Sequence, residues 1–362
     1  MFRQTTATVQ EGTSAAIPPS PRFVMPFDNT QNLNSAVAVA NTNAAQPAVI
    51  TSLYRDETGG EIFRESFTLP PGGQSSYGTV GCSQPSPECL KRSNTLVNRR
   101  GVVELSSSSG EMTMMGLRFN PFNSFTSLEA VGGGQTGSQA MSQLADGTGW
   151  KTTMVLVNND VAASPFSLRF RDSNGTPLSL PFEALGMRSV LEDTLPPLGT
   201  RTYQTEGLAE ILRQGWAELN SSRSISGLAI FRQRQSSERE QEASVPVFAV
   251  QQREFWLPYD NTGEFITAAS IVNPDAVRAA TVAATVYDEQ GGNLENATVL
   301  LPPGGYKPFR LADELPATAG RRGVVRFRSS NLQFTVLGLR FTTAGALTSF
   351  PAFVRNGSTQ GN

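Results

Sequence analysis

The chain repeats itself, and any fold assigned to it has to accommodate the repeat. "FVMPFDNT" at 23–30 returns as "FWLPYDNT" at 255–262, an offset of 232 between Asp28 and Asp260. The same offset relates Asn41 to Asn273, "DETGG" at 56–60 to "DEQGG" at 288–292, and "LPPGG" at 69–73 to "LPPGG" at 301–305. Further on it falls to 222, where "RRGVV" at 99–103 matches 321–325 and "GLRF" at 116–119 matches 338–341. The first copy therefore carries ten extra residues, and "CSQPSPEC", with both cysteines of the chain, lies within them.

A more distant version of the unit fills the middle. "GWKTTMVLVNND" at 149–160 aligns Asn158 with Asn41 and Asn273, "RDSNG" at 171–175 stands for "DETGG", and "LPPLG" at 195–199 stands for "LPPGG". "GWAEL" at 215–219 then matches "GVVEL" at 101–105, and "SGLAIF" at 226–231 matches "MGLRF" at 115–119. The order is A–B–A. The opening "MFRQTTATVQEG" resembles "IFRQRQSSEREQE" at the end of the B unit, so the start reads as the tail of a preceding B unit in a longer array. The expected division is a remnant at 1–21, unit A1 at 22–131, a Gly/Ser/Gln-rich linker at 132–143, unit B at 144–251, unit A2 at 252–355, and a disordered tail at 356–362. Without its own sheet, the remnant is expected to fray or to dock irregularly on the edge of A1.

Units of this size can each bury a core. "AATVAATVYD" at 279–288 and "GVVRFRSS" at 323–330 alternate with period two, as strands with one buried face do. "DETGG", "DEQGG" and "DSNG" read as hairpin connections, "LPPGG" as a turn, and "DNT" as an Asx-turn. A short helix is expected at 207–215. The fold class is all-β: tandem antiparallel β-sandwiches of Ig-like proportions, with a jelly-roll arrangement as the alternative.

The set "PFDNT…VANTN…LYRDETGG…LPPGG…RRGVVEL…MGLRFNPFNSFTS" is similar to a module repeated in large secreted and surface proteins of soil bacteria, and the B unit resembles its usual companion. That resemblance covers nearly the whole chain. It implies β-sandwich units of a multidomain extracellular protein and names no activity; the Cys-bearing insertion departs from it.

The formal net charge of −2 and the dispersed Arg residues give no footprint for nucleic acid or for an anionic membrane. No apolar run is long enough to span a bilayer, and no signal peptide is visible. Without a single His, Ser-His-Asp and Cys-His nucleophile systems and His-ligated metals are excluded. No catalytic, cofactor-binding or metal-ligating set emerges. Cys82 and Cys89 are either a disulfide, which would imply an oxidising compartment, or two free thiols; the bonded form is the expectation. Calcium at the Asp56–Glu57 and Asp288–Glu289 tips is set against a solvated turn.

Six residues are carried forward as ligand or interface candidates. Trp216 should lie outward on its strand, covering a neighbouring unit or stacking on a sugar ring. Trp256 stands at the B–A2 boundary. Arg118 and Arg340 stand on outer faces, where sheet-surface ion pairs compete with binding of an acidic polymer. Asp28 and Asp260 open the "DNT" turns. The resulting expectation is a non-enzymatic structural or adhesive segment, extracellular or at the cell surface. Its partners would be neighbouring units and a polysaccharide or another surface protein. Carbohydrate binding through outward aromatics is the alternative.

Overall fold

The computed structural model describes residues 2–5, 9–12, 18–82, 85–122, 124–130, 133–237, 239–250 and 252–354, with 2–5 and 9–11 described by backbone alone. The tail expected at 356–362 lies outside these residues. Strands β1 (Phe2–Thr5) and β2 (Val9–Gly12) form a hairpin. Next come β3 (Arg22–Asp28), β4 (Asn34–Asn41), β5 (Ala48–Asp56), β6 (Glu61–Leu69), β7 (Gln74–Gly78), helix α1 (Pro87–Leu96), β8 (Arg100–Ser107), β9 (Met112–Phe119) and β10 (Phe125–Leu128). The middle third contains β11 (Gln135–Asp146), β12 (Trp150–Asn158), β13 (Ser164–Arg171), β14 (Leu180–Phe182), β15 (Gly186–Arg188), β16 (Val190–Leu195), β17 (Thr200–Gln204), β18 (Arg213–Arg234), β19 (Glu240–Pro246) and β20 (Phe248–Ala249). The last third contains β21 (Glu254–Asp260), β22 (Phe265–Val272), β23 (Ala280–Asp288), β24 (Asn293–Leu301), β25 (Tyr306–Arg310), α2 (Leu311–Glu314), β26 (Arg322–Ser329), β27 (Thr335–Thr342) and β28 (Leu347–Pro351).

The protein is all-β, and its antiparallel sheets pack in pairs as sandwiches. In A1 the sheets run β3-β8-β5-β6 and β10-β9-β4-β7; in A2 they run β21-β26-β23-β24 and β28-β27-β22-β25. These are the same order, strand for strand. Alternation places Val282, Ala284, Val286, Val325 and Phe327 from one A2 sheet against Ala269, Ile271 and Val336 from the other, all buried. The B sandwich keeps this order but joins its two sheets through one strand. The first half of β18 pairs with β11 and β13, and the second half with β12 and β19. The cause is local. In A1, "GVVEL" and "GLRF" are separated by a turn at 107–110 with Gly110 at φ 75. B is three residues shorter between the matching "GWAEL" and "GLAIF", and the chain runs straight on.

Two expectations need correction. The segment read as a linker, 132–143, is from Gln135 onward strand β11, paired with β18 and β20. Its small residues permit close approach: a Cβ on Gly134 would lie 2.8 Å from the Ile225 backbone. No helix forms at 207–215; residues 206–212 are irregular and β18 starts at Arg213. Leu208 and Ile211 point into solvent there, 82% and 75% exposed, so a helix would have no apolar face to bury. Among the described residues, the longer of the two α-helices is α1, in the Cys-bearing insertion. Ser86 caps it by accepting from Cys89 N, Pro87 sits in its first turn and Glu88 faces the positive end. In the N-terminal segment, β1 and β2 pair with each other, and β2 lies beside β10, an edge strand of A1, and beside β28.

The three sandwiches form one body. The last strands β10, β19 and β28 lie side by side, β19 in the middle. Equivalent serines link them: Ser244 Oγ donates to the Ser127 carbonyl at 2.6 Å, and Ser349 Oγ donates to the Ser244 carbonyl.

Candidate functional site: the joints between sandwiches

The recurring motifs converge on the contacts between modules. Each tip is closed by its aspartate. Asp56 Oδ1 accepts from Thr58 N, Thr58 Oγ1 and Gly60 N, and Asp172 Oδ1 accepts from Asn174 N and Thr176 N. Burial works to raise the pKa of both aspartates, and these hydrogen bonds outweigh it, so both are lowered. Each "LPPxG" turn is stapled by the motif asparagine. Asn41, Asn158 and Asn273 donate their side-chain amides to the carbonyls of Pro70, Pro196 and Pro302 at 3.1, 2.9 and 2.9 Å.

Tip then docks on turn. The A1 tip meets the B turn: Thr200 N donates to the Glu57 carbonyl at 3.0 Å. The B tip meets the A2 turn in the same way, Tyr306 N donating to the Ser173 carbonyl at 3.2 Å. Glycine is required at the contact. Gly59 and Gly175 hold φ 90 and 80, and a Cβ on either would lie 2.0 Å from the carbonyl oxygen of Pro197 or Pro303.

An apolar pair backs each joint. In A1 it is Val24 and Val102, packed on Val157 of B. In B it is Ala140 and Trp216, packed on Val272 and Tyr306 of A2. Trp216 is wholly buried, and its indole N–H donates to the Gly304 carbonyl at 2.9 Å. It does face outward from its own sheet, and A2 covers it completely, which leaves no ring face for a sugar. Around this pair, Ser142 Oγ contacts Thr335 Oγ1 at 2.7 Å and Tyr306 Oη donates to Gln143 Oε1 at 2.5 Å. The receiving sheets are apolar on both faces. In β18, Ala229 and Phe231 fill the B core while Leu228 and Ile230 pack on A1. In β27, Val336 fills the A2 core while Leu337 and Leu339 pack on B.

The A1–B joint adds an ion pair. Arg118, 3% exposed, has Nε 3.2 Å from Glu242 Oε2 and Nη1 4.0 Å from Asp28 Oδ2. The contact with Glu242 is too bent to count as a hydrogen bond. Arg118 is thus on the outer face of its strand and buried at the A1–B joint. Arg340, its A2 counterpart, lies over the Phe265 ring at 3.6 Å. Asp28 and Asp260 make Asx-turns, each accepting from the N and Oγ1 of Thr30 or Thr262. Trp256 lies half-buried on the outer face of A2, stacked on Tyr287 at 5.8 Å with Arg326 alongside.

The insertion forms a second feature, confined to A1. Cys82 and Cys89 form a disulfide. Arg92 of α1 reaches the sheet, pairing with Glu65 at 2.8 Å, donating to the Gly78 carbonyl, and covering the Tyr77 ring at 4.7 Å. Burial raises the Glu65 carboxyl even with Arg92 opposing it, and pushes Tyr77 up to about 12. An open groove of about 650 Å³ runs along this helix, and one of about 350 Å³ lies between A1 and B, lined by Asp28, Arg100, Arg118, Glu183 and Arg232 among others. Among the described residues, no group of three acidic or Cys side chains could hold a metal, and no helix is long and apolar enough to cross a membrane.

Fold and joints together define a tandem β-sandwich array. No family model and no curated protein matches the chain. Among solved structures it is similar to dimeric latent PorU from Porphyromonas gingivalis, with 9% identity, 92% of this chain and 31% of that chain covered, and a TM-score of 0.16. It is also similar to the Bacteroides uniformis beta-glucuronidase, with 8% identity, 65% and 25% covered, and a TM-score of 0.14. The chain spans less than a third of either, and overlap at this level assigns no activity.

Proposed function

We propose that this chain is a non-enzymatic structural or adhesive segment of an extracellular bacterial protein. One observation supports the reading above the others: the residues that recur between units close turns and join modules, and Asp28 and Arg118, which line the A1–B groove, are engaged in an Asx-turn and a buried ion pair. The aspartates of the tips hold backbone amides, the asparagines hold turns, and Trp216 and Arg118 lie between sandwiches. The Cys82–Cys89 bond fits an oxidising compartment. Such a body would hold flanking domains at fixed positions and present its outer surface to a polysaccharide or a surface protein. Turnover assays on polysaccharide, peptide, ester and phosphoester panels test the non-enzymatic part. No turnover above buffer is the expected result. Steady turnover lost on replacing Asp28 or Glu183 in the A1–B groove would make the protein an enzyme.

Carbohydrate binding remains a second reading because Trp256 keeps part of its ring surface beside Tyr287 on an outer sheet face. Binding to a glycan array that is lost in Trp256→Ala would favour it.

A further inference from the structure

The joint has two halves, and among the described residues A1 and A2 each carry one half that meets no other module. The A2 tip is built like its counterparts: Asp288 Oδ1 accepts from Gln290 N and Gly292 N, and Gly291 holds φ 82. Yet Gly59 and Gly175 meet a proline carbonyl, whereas a Cβ on Gly291 meets nothing within 4 Å. The backing pair recurs beside it. Trp256 and Val324 occupy the strand positions of Val24 and Val102 in A1 and of Ala140 and Trp216 in B. Both are half-exposed, while those four are buried. At the other end, Asn41 staples the A1 turn, but Gly72 is exposed with nothing within 4 Å. Gln74 is exposed too, where its counterparts Thr200 and Tyr306 are buried in joints.

The backbone of the N-terminal hairpin indicates what lies between these halves. "FRQ" at 2–4 and "QE" at 10–11 match "FRQ" at 231–233 in β18 and "QE" at 241–242 in β19. Strand β19 has β10 on one side and β28 on the other; β2 also has β10 on one side and β28 on the other. The four strands β2, β10, β19 and β28 are therefore neighbours in a closed cycle, and three of them belong to sandwiches.

We propose that the opening between A2 and A1 is the seat of a fourth sandwich, a B-type module that closes a ring of four. Its "LPPxG" turn takes the A2 tip, its own tip sits on Pro70–Gln74, and β1–β2 supply its last two strands. A B-type occupant repeats the two kinds of joint already present, A tip on B turn and B tip on A turn. A second copy of the chain entering by its A1 end would need its β10 where β2 already lies. The inference does not rest on the function proposed above.

The test is a fusion protein with residues 132–230 placed directly before Phe2, so that Ile230 again precedes Phe-Arg-Gln. Hydrogen exchange, acrylamide quenching and sedimentation compare it with the original chain. The expected result is a monomer in which the Gln74 amide exchanges at least tenfold more slowly and Trp256 becomes shielded. In the fusion, Gly291→Ala should also become as disruptive as Gly175→Ala, whereas in the original chain it is mild. The proposal is overturned if the added module folds while Gln74 and Trp256 behave as before. It is also overturned if the added module stays unfolded, since the same residues fold between A1 and A2. Trp256-dependent glycan binding that persists in the fusion would assign that face to carbohydrate instead.

Discussion

Gly175→Ala should open the B–A2 joint, and Gly291→Ala provides its control. Both glycines hold nearly the same backbone conformation, φ 80 and 82. A Cβ in this region costs each variant about 1–2 kcal/mol. Only Gly175 has a neighbour, its Cβ falling 2.0 Å from Pro303 O and 2.9 Å from Gly304 C. The crowding atoms are backbone of the Pro303–Gly304 turn, which cannot rotate aside as a side chain would, so the tip has to withdraw. Withdrawal breaks the Tyr306 N–Ser173 O bond at 3.2 Å and the Trp216 Nε1–Gly304 O bond at 2.9 Å. These contribute about 1 kcal/mol each. Uncovering roughly half of the Trp216 surface, about 100 Å², adds about 2–3 kcal/mol. The joint is therefore weakened by about 4 kcal/mol beyond the control, which corresponds to roughly 10²–10³-fold in its opening equilibrium. Native-state hydrogen exchange at the Tyr306 amide reads this directly. If exchange in Gly175→Ala stayed within twofold of that in Gly291→Ala, the tip would contribute nothing to holding the sandwiches together.

Arg118→Met should destabilise the A1–B contact by about 3–5 kcal/mol, because it leaves the buried Glu242 carboxylate unpaired; the double variant Arg118→Met, Glu242→Leu should recover most of that in denaturant titrations. Replacing Cys82 and Cys89 by Ser should cost roughly 2–3 kcal/mol, confined to helix α1: its amides should exchange faster while Tyr306 is unchanged. Burial pushes the Glu129 carboxyl up to about 7, so the fold favours its protonated form. Stability should fall as pH rises from about 4.5 to 7, by at most about 3 kcal/mol and by less in proportion to the surface Glu129 retains. Melts of Glu129→Gln should lack this slope.

The repeat and its punctuation were legible because turns are local chemistry. "DETGG" and "LPPGG" need particular backbone angles and side-chain acceptors, and the same residues meet those needs in every copy. The division of β11 from its surroundings was not legible: Gly, Ser and Gln have the composition of a linker, and only the ladder to β18 makes them a strand. The helix expected at 207–215 did not form, and α1 formed where none was expected, for one reason. "GLAEILRQG" has apolar residues but nothing to pack them on, whereas "SPECLKRSNTL" has a cap, an N-terminal proline and Arg92 to anchor it. The joints had a signal in the sequence. "TMVLV" in β12 and "GLAIF" in β18 are continuous apolar runs, and in a sandwich such runs mark strands covered on both faces. Period-two alternation is the wrong template for them. Trp216 could be placed outward from its sheet, but what covers it depends on Val272 and Tyr306, more than fifty residues further on.

Repeated tip-on-turn joints hold the three sandwiches as one body, and small-angle scattering of the intact protein measures whether they do. A compact chain of this length has a radius of gyration of about 21 Å. Three sandwiches hinged on flexible connections would spread to about 30 Å, taking each as about 13 Å with neighbours roughly 35 Å apart. The expected value lies within about 2 Å of the compact figure, unchanged in Gly291→Ala and increased in Gly175→Ala. A radius near 30 Å for the unaltered protein would contradict it.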